Sequence, residues 1–279
     1  MTIQEMLTQA KHSLCNKGIL PRQVEEVIGD ALGLRRVELY EQRTRLLTEE
    51  EKKRCCSFLD RKGEGEPAQY LRGYVEFLSC IIHVNRDVLI PRQETEILVA
   101  NIVQTLKKED CRNKALWDVC CGSGCMGIAI KKAVPELRVI LSDVSSKALA
   151  VAQSNAADND VEVALVQGDL LHPFRGEATD FFVCNPPYVA KNEEEQLPIE
   201  VRQFEPPLAL FADNQGLEFY ERLGRELIDH MSPGGKAWME IGYRQGEAVR
   251  ACFSSPLWKS SRVEKDWSGH DRFFFLEIE

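Results

Sequence analysis

The stretch "DFFVCNPPYVAKN", residues 180–192, runs from an apolar segment into an asparagine, two prolines and a tyrosine. Asn and Pro are ordinary turn residues, and a surface loop would account for them. The same four residues also suit recognition of a planar NH2 group, which brings two N–H donors and needs two acceptors. The side-chain oxygen of Asn185 is one. The backbone carbonyl of Pro186 is a second, with two lone pairs on a residue that has no N–H of its own. Pro186 and Pro187 fix φ and stiffen those acceptors, and Tyr188 offers a flat face for stacking. Asn185, Pro186, Pro187 and Tyr188 are therefore the candidate catalytic residues.

Three further short segments carry residues suited to a nucleoside. "DVCCGSG" reads as the end of a strand and a turn into a helix, with Gly122 and Gly124 allowing a sharp bend and close backbone approach. The free N–H groups of the following helix add a polar end. "LSDVS" puts Asp143 at a strand end, where a carboxylate can accept from ribose hydroxyls. Asp143 or Ser145 could equally cap the next helix. "QGDLL" puts Asp169 at another strand end, with Leu170 beside it to pack on a flat ring. The candidate cofactor-binding set is Asp118, Cys120, Cys121, Gly122, Ser123, Gly124, Asp143, Asp169, Leu170 and Asn185. The loop is not G-x-x-x-x-G-K-[ST], which argues against a nucleoside triphosphate, and Cys120 interrupts G-x-G-x-x-G, which argues against a dinucleotide. A ligand that needs only ribose, adenine and a carboxylate is S-adenosylmethionine, leaving S-adenosylhomocysteine as its product.

These segments must be held by a scaffold, and the pattern of the chain says which. Residues 1–75 read as a small helical bundle. Ile3, Met6, Leu7, Ala10 and Leu14 recur at helical spacing, Pro21 opens a second helix, and Thr48 with Glu51 forms a capping box for a third. "YVEFLSCIIHVN" and "VLIPRQ" look extended and predict a hairpin connector over residues 76–95. "ETEILVANIVQTLKK" predicts an amphipathic helix that opens the last domain, 96–279. Beyond Lys114 strands and helices alternate, which implies a mostly parallel sheet covered on both faces. "GLEFYERLGRELIDHM" predicts a helix ending in a turn at "SPGG", followed by the strand "KAWMEIG". "SSRVEKDW" and "RFFFLEIE" are separated only by "SGHD", so one of them must run antiparallel. The expected fold class is α/β: a seven-stranded, mostly parallel Rossmann-like sheet with an antiparallel last strand, preceded by a helical bundle.

Composition narrows the partners. The 279 residues carry 35 Lys+Arg against 44 Asp+Glu, a net charge of −9, and no dense basic stripe, so a direct nucleic-acid partner is not expected. The ten cysteines form no C-x-x-C pair, and neither a metal site nor disulfides are expected. No apolar run is long enough for a membrane span and the N-terminus lacks a secretory core, which points to a cytoplasmic protein with no membrane partner.

Taken in order, "DVCCGSG", "LSDVS", "QGDLL" and "NPPY" resemble a class I S-adenosylmethionine-dependent methyltransferase acting on the nitrogen of a planar amine or amide. "GEPAQYLRGYVEF", "VLIPRQETEILV", "EVRQFEPPLALFA" and "DWSGHDRFFFLE" extend the resemblance to the peptide chain release factor N5-glutamine methyltransferases. That family more often has glycine at the place of Cys120 and proline at the place of Gln93. The resemblance implies methyl transfer to the glutamine amide of the Gly-Gly-Gln motif of release factors, by a monomer whose helical domain docks the protein substrate. Within these segments Glu200, Arg202 and Glu205 are candidates to order the lip of the site or meet the protein substrate, with a charged surface loop as the alternative, and Arg92 and Glu94 could reach the cofactor or form an ion pair at a helix start. Two readings compete with it: methylation of an exocyclic base amine in RNA or DNA, and a non-enzymatic helper that binds cofactor only to hold its shape. The intact NPPY segment argues against the second.

Overall fold

The computed structural model describes residues 1–279 and divides into two units, Met1–Tyr74 with Pro198–Phe204, and Val75–Leu197 with Glu205–Glu279. The first unit is helical: α1 (Ile3–Cys15), α2 (Pro21–Leu32), α3 (Arg36–Glu41), α4 (Glu49–Gly63) and α5 (Ala68–Arg72). Ile3, Met6, Leu7, Ala10 and Leu14 on α1 are all buried, as their spacing predicts, and pack with Val24, Val27 and Ile28 of α2. Thr48 and Glu51 close the predicted capping box at the start of α4. Three charged side chains of this unit are buried: Lys62, Glu66 and, at 3% exposure, Glu25. It accepts from Lys11 at 2.6 Å and from Arg36 and Tyr40 at 2.5 Å. Burial alone would raise its pKa, but the bonds from Lys11, Tyr40 and Arg36 outweigh that and bring it to about 2.

β1 (Tyr74–Phe77), whose first residue still belongs to the helical unit, and β2 (Cys80–His83) form a two-stranded hairpin at the start of the second unit. The hairpin lies wholly inside "YVEFLSCIIH", and "VLIPRQ", expected to be extended, contributes no strand. The turn is made at Leu78, which takes a left-handed φ of 50°. Then come α6 (Gln93–Leu106), β3 (Ala115–Val119), α7 (Cys125–Ala133), β4 (Arg138–Asp143), α8 (Ser146–Asp158), β5 (Ala164–Gln167), β6 (Thr179–Cys184), a short parallel pair β7 (Val189–Ala190) and β8 (Phe211–Ala212), β9 (Met231–Glu240), β10 (Trp258–Lys265) and β11 (Asp271–Ile278). Helices Glu218–Glu226 and Gly246–Cys252 flank β9. "SPGG", read as a turn, falls inside β9, where an irregularity in the pairing with β6 absorbs it.

The main sheet has seven strands in the order β10-β11-β9-β6-β3-β4-β5. All neighbours are parallel except β11, which runs antiparallel to both β9 and β10. Leu116, Trp117, Asp118 and Val119 of the central strand are each at most 1% exposed, because helices cover both faces of a sheet of this kind. Trp117 stacks on Phe174 with ring centroids 4.0 Å apart. Chain order reverses between β3 and β6, which opens a crevice beyond the carboxyl ends of those strands. Register decides what lines it. Val119 pairs with Ser142 on one side and Cys184 on the other, so Cys120, Asp143 and Asn185, the residues that follow, emerge level with one another.

Candidate active site

A cavity of about 480 Å³ occupies that crevice, within the range of small-molecule sites. Cys120, Cys121, Gly122, Ser123, Asp143, Asp169, Leu170, Asn185 and Pro187 all line it. Gly124 stands just behind the loop as the residue that starts α7, and Pro186 and Tyr188 back the wall rather than line it. Asp118, expected among the cofactor contacts, does not reach the cavity: it is 1% exposed beneath the loop, where Oδ2 accepts the Gly127 N–H at 2.8 Å and Oδ1 has no partner. Burial, opposed by the Gly127 N–H and aided by the charge of Asp143, raises its pKa to about 7.

The glycine loop is bent hard. Cys120, Gly122 and Gly124 have φ of 58°, 53° and 77°. Cys120 thus stands in the left-handed region that glycine occupies without strain, which explains glycine as the commoner residue of the resembling family there. Gln93, the other departure, is the first residue of α6, a position that accepts proline equally well. The loop is held to β4 by the Cys121 N–H on the Ser142 carbonyl at 3.0 Å and the Gly122 N–H on Asp143 Oδ2 at 2.9 Å. Asp143 Oδ1 takes the Ser145 N–H at 2.9 Å, while Ser145, not Asp143, caps α8. Burial raises the pKa of Asp143, and the N–H groups of Ser145 and Gly122 pull it back. Each carboxylate oxygen keeps a lone pair beyond those bonds, so the group can still accept from two hydroxyls. Asp169 is paired with Arg222 at 2.6 Å. Burial pushes the thiols of Cys121, Cys125 and Cys184 upward, so they remain protonated and act as small apolar groups. All ten cysteines are free, and no group of three His, Cys, Asp or Glu side chains is arranged to hold a metal ion.

At the other end of the cavity sits Asn185. Its Nδ2 donates to Thr95 Oγ1 at 3.4 Å, and Thr95 Oγ1 donates to Glu240 Oε2 at 2.6 Å. The Tyr188 hydroxyl donates to the other Glu240 oxygen at 3.3 Å. Burial raises the pKa of Glu240, with the Thr95 bond and the Arg272 charge opposing it, and burial likewise keeps the Tyr188 phenol protonated. The Tyr188 carbonyl accepts from Gln245 Nε2 at 3.0 Å, which pins the end of the NPPY segment. "EPPLALF" forms one lip: Pro206, Leu208 and Ala209 line the cavity, and Glu205 is held by the Arg92 guanidinium at 2.6 Å and the Ile90 N–H at 3.2 Å. Glu200 belongs to the helical unit and meets Lys62 at 3.4 Å.

Sequence reasoning missed Thr95, Glu240, Gln245, Arg222 and Phe219. A glutamate inside the apolar strand "KAWMEIG" was a visible signal for one of them, since a lone buried acid needs partners. It also missed Asn155, which is fully buried and joins Ser123 of the loop to His83 of the hairpin through bonds of 2.9 Å and 3.0 Å.

The family described as methyltransferase small domain matches residues 93–202, and that described as PrmC N-terminal domain matches residues 5–73. Among solved structures, the hMettl16 catalytic domain in complex with an RNA hairpin has a TM-score of 0.56 at 15% identity, covering 82% of this chain and 81% of its own. A methyltransferase from Pyrococcus furiosus has a TM-score of 0.52 at 15% identity, covering 72% and 89%. Fold and site together define a methyltransferase. More particularly, the release factor glutamine methyltransferase of Chlamydia trachomatis serovar L2 is 40% identical over 278 residues, 99% of this chain and 94% of its own length. That of Geobacter sulfurreducens is 33% identical over 273 residues, 97% and 95%. The chain belongs to the release factor glutamine methyltransferase family.

Proposed function

We propose that this enzyme transfers a methyl group from S-adenosylmethionine to the side-chain amide nitrogen of the glutamine in the Gly-Gly-Gln motif of peptide chain release factors, and so modulates translation termination. The observation that carries the reading is the place of Asn185. It lines the same cavity as the glycine loop and Asp143, with its NH2 end already engaged by Thr95.

The donor set suits the cofactor. Asp143 would take the ribose hydroxyls, Asp169 and Leu170 the adenine, and the Cys120–Gly124 loop the amino-acid end. When bound, S-adenosylmethionine supplies an electrophilic methyl carbon on a positively charged sulfur. The protein's part is to present the nucleophile. An amide nitrogen is poor in that role because its lone pair is delocalised into the carbonyl. Asn185 Oδ1, on the cavity wall, would accept one N–H and the Pro186 carbonyl behind it the other, the two prolines stiffen these acceptors, and Tyr188 backs the segment. Two such hydrogen bonds contribute about 1–3 kcal/mol together, well below the ~8 kcal/mol or more of enzymatic acceleration. Holding the nitrogen in line with the carbon it attacks can supply roughly 7–11 kcal/mol. Orientation therefore dominates, and the departing proton leaves through Asn185, Pro186 or water.

No helix is long and apolar enough to cross a membrane; the cytoplasm, where release factors act in translation, is the place this reading assigns to the enzyme. The helical unit is our candidate for docking the release factor, since one glutamine among many must be chosen by contacts away from the amide. The test is incubation with labelled S-adenosylmethionine and, in parallel, a release factor, the same factor with its motif glutamine changed to alanine, and a stem-loop RNA. Label in the first alone supports the assignment. Label in the RNA alone replaces it with the base-amine reading.

A further inference from the structure

An asparagine carboxamide has two ends of nearly the same size and opposite hydrogen-bonding character. For a substrate NH2 to be gripped, the oxygen must face it; the nitrogen would set donor against donor. Something has to hold one orientation. Thr95 and Glu240 are 2% and 1% exposed, so water does not mediate their contacts freely. The Thr95 hydroxyl has one proton, and that proton is engaged by Glu240 at 2.6 Å. What Thr95 presents to Asn185 is therefore a lone pair, which only the NH2 end can meet, as it does at 3.4 Å. Glu240 is anchored in turn: its second oxygen accepts from Tyr188, and its backbone carbonyl accepts from the buried Tyr220 hydroxyl at 2.7 Å.

We propose that Thr95 and Glu240 are positioning residues that fix which end of the Asn185 carboxamide faces the cavity. The inference rests on the function proposed above for its consequence, but the orientation itself is a property of the protein alone. Glu240, on β9, sets the hydroxyl of Thr95, on α6, and the hydroxyl sets the amide beyond β6. The same carboxylate holds Tyr188, so both ends of the NPPY segment are aligned from one buried group.

The test uses the full chain with Thr95→Val, which keeps the shape and removes the hydroxyl, Thr95→Ser, which restores it, and Glu240→Leu, which removes both acceptor oxygens. In the cofactor-free protein the Asn185 side-chain NH2 is assigned in the 15N–1H spectrum by its loss in Asn185→Ala. It should be sharp and slow to exchange in the wild type and in Thr95→Ser, and shifted and fast to exchange in Thr95→Val and Glu240→Leu. With a release factor as substrate, Thr95→Val should lose roughly tenfold or more in kcat while S-adenosylhomocysteine affinity moves less than about threefold, and Thr95→Ser should recover most of the rate. Should Thr95→Val fail to fold, Glu240→Leu carries the same readouts. An Asn185 signal unmoved in the folded variants overturns the proposal, as does undiminished kcat. If the wild type methylates no release factor, the functional reading falls, and the spectrum still decides the orientation.

Discussion

Asp118 on β3 and Gly127 on α7 are joined by a 2.8 Å hydrogen bond that fastens the first turn of the helix to the strand beneath the cofactor loop. The close approach requires glycine: a Cβ at residue 127 would lie 2.3 Å from Leu141 Cδ2 and 3.0 Å from Asp118 Oδ2. The bond therefore shapes the loop without touching what the loop binds.

That geometry has a pH signature. The Asp118 pKa is raised from 3.8 to about 7, so between those values the folded chain holds a proton that the unfolded chain has lost. This group's contribution to stability is full below about pH 4 and is lost as pH rises through 7. Asp118→Asn keeps the acceptor for Gly127 and carries no charge. Its stability relative to the wild type should improve by a few kcal/mol from pH 5 to pH 8. Urea midpoints at the two pH values check this, and parallel shifts of both proteins would refute it.

Glu25 has the opposite sign. Its pKa lies at about 2 against 4.5, so the stabilisation is complete above pH 4.5 and disappears as pH falls toward 2. Glu25→Gln should cost about 2 kcal/mol at pH 7, below the full value for a buried pair because Lys11 and Arg36 are partly solvated. Thermal melts followed by far-ultraviolet dichroism at pH 7 and pH 3 should show the gap narrowing at the lower pH.

Asn185→Ala removes an acceptor that we assign to the substrate, not to the loop or Asp143. Methylation should fall by roughly 10²-fold or more, as expected when a reacting group is misplaced. S-adenosylhomocysteine binding by calorimetry should stay within a few-fold of the wild type. Near-normal turnover would remove Asn185 from the mechanism.

Asp143→Ala separates the other half of the site. Hydrogen bonds to a charged acceptor contribute about 1.5–3 kcal/mol each, and two are lost, so cofactor affinity should drop by roughly 10²-fold or more. At saturating cofactor kcat should change far less, since the nucleophile is held elsewhere. A fall confined to kcat would contradict the assignment.

Cys120→Gly tests the departure in the loop. With φ at 58°, glycine relieves the left-handed strain of about 1–2 kcal/mol but frees the unfolded chain and loses the packing of the thiol. The two effects oppose, and stability should stay within about 1 kcal/mol of the wild type with cofactor affinity unchanged. A larger loss in either measurement would give the thiol a role of its own.

Local chemistry was enough to read much of this protein from its residues. The stripe from Ile3 to Leu14, the Thr48–Glu51 box, the alternation beyond Lys114 and the NPPY segment each depend on neighbours within a few positions. Folding only realises what such spacing encodes. The boundary errors are local conflicts that distant partners resolved: "SPGG" pairs within β9 because β6 lies beside it, and "VLIPRQ" stays irregular because β2 already completes the hairpin. Asp118 and Asp143 look alike in sequence, each an acid in an apolar strand, although Asp118 lies inside β3 and Asp143 is the last residue of β4. Only the depth of each under its loop sends one to the core and the other to the cavity. Thr95, Asn185 and Glu240 come from three elements separated by 90 and 145 positions in the chain. No spacing rule spans such distances, and the contact exists because burying their hydrogen-bonding groups unpaired would cost more than aligning them.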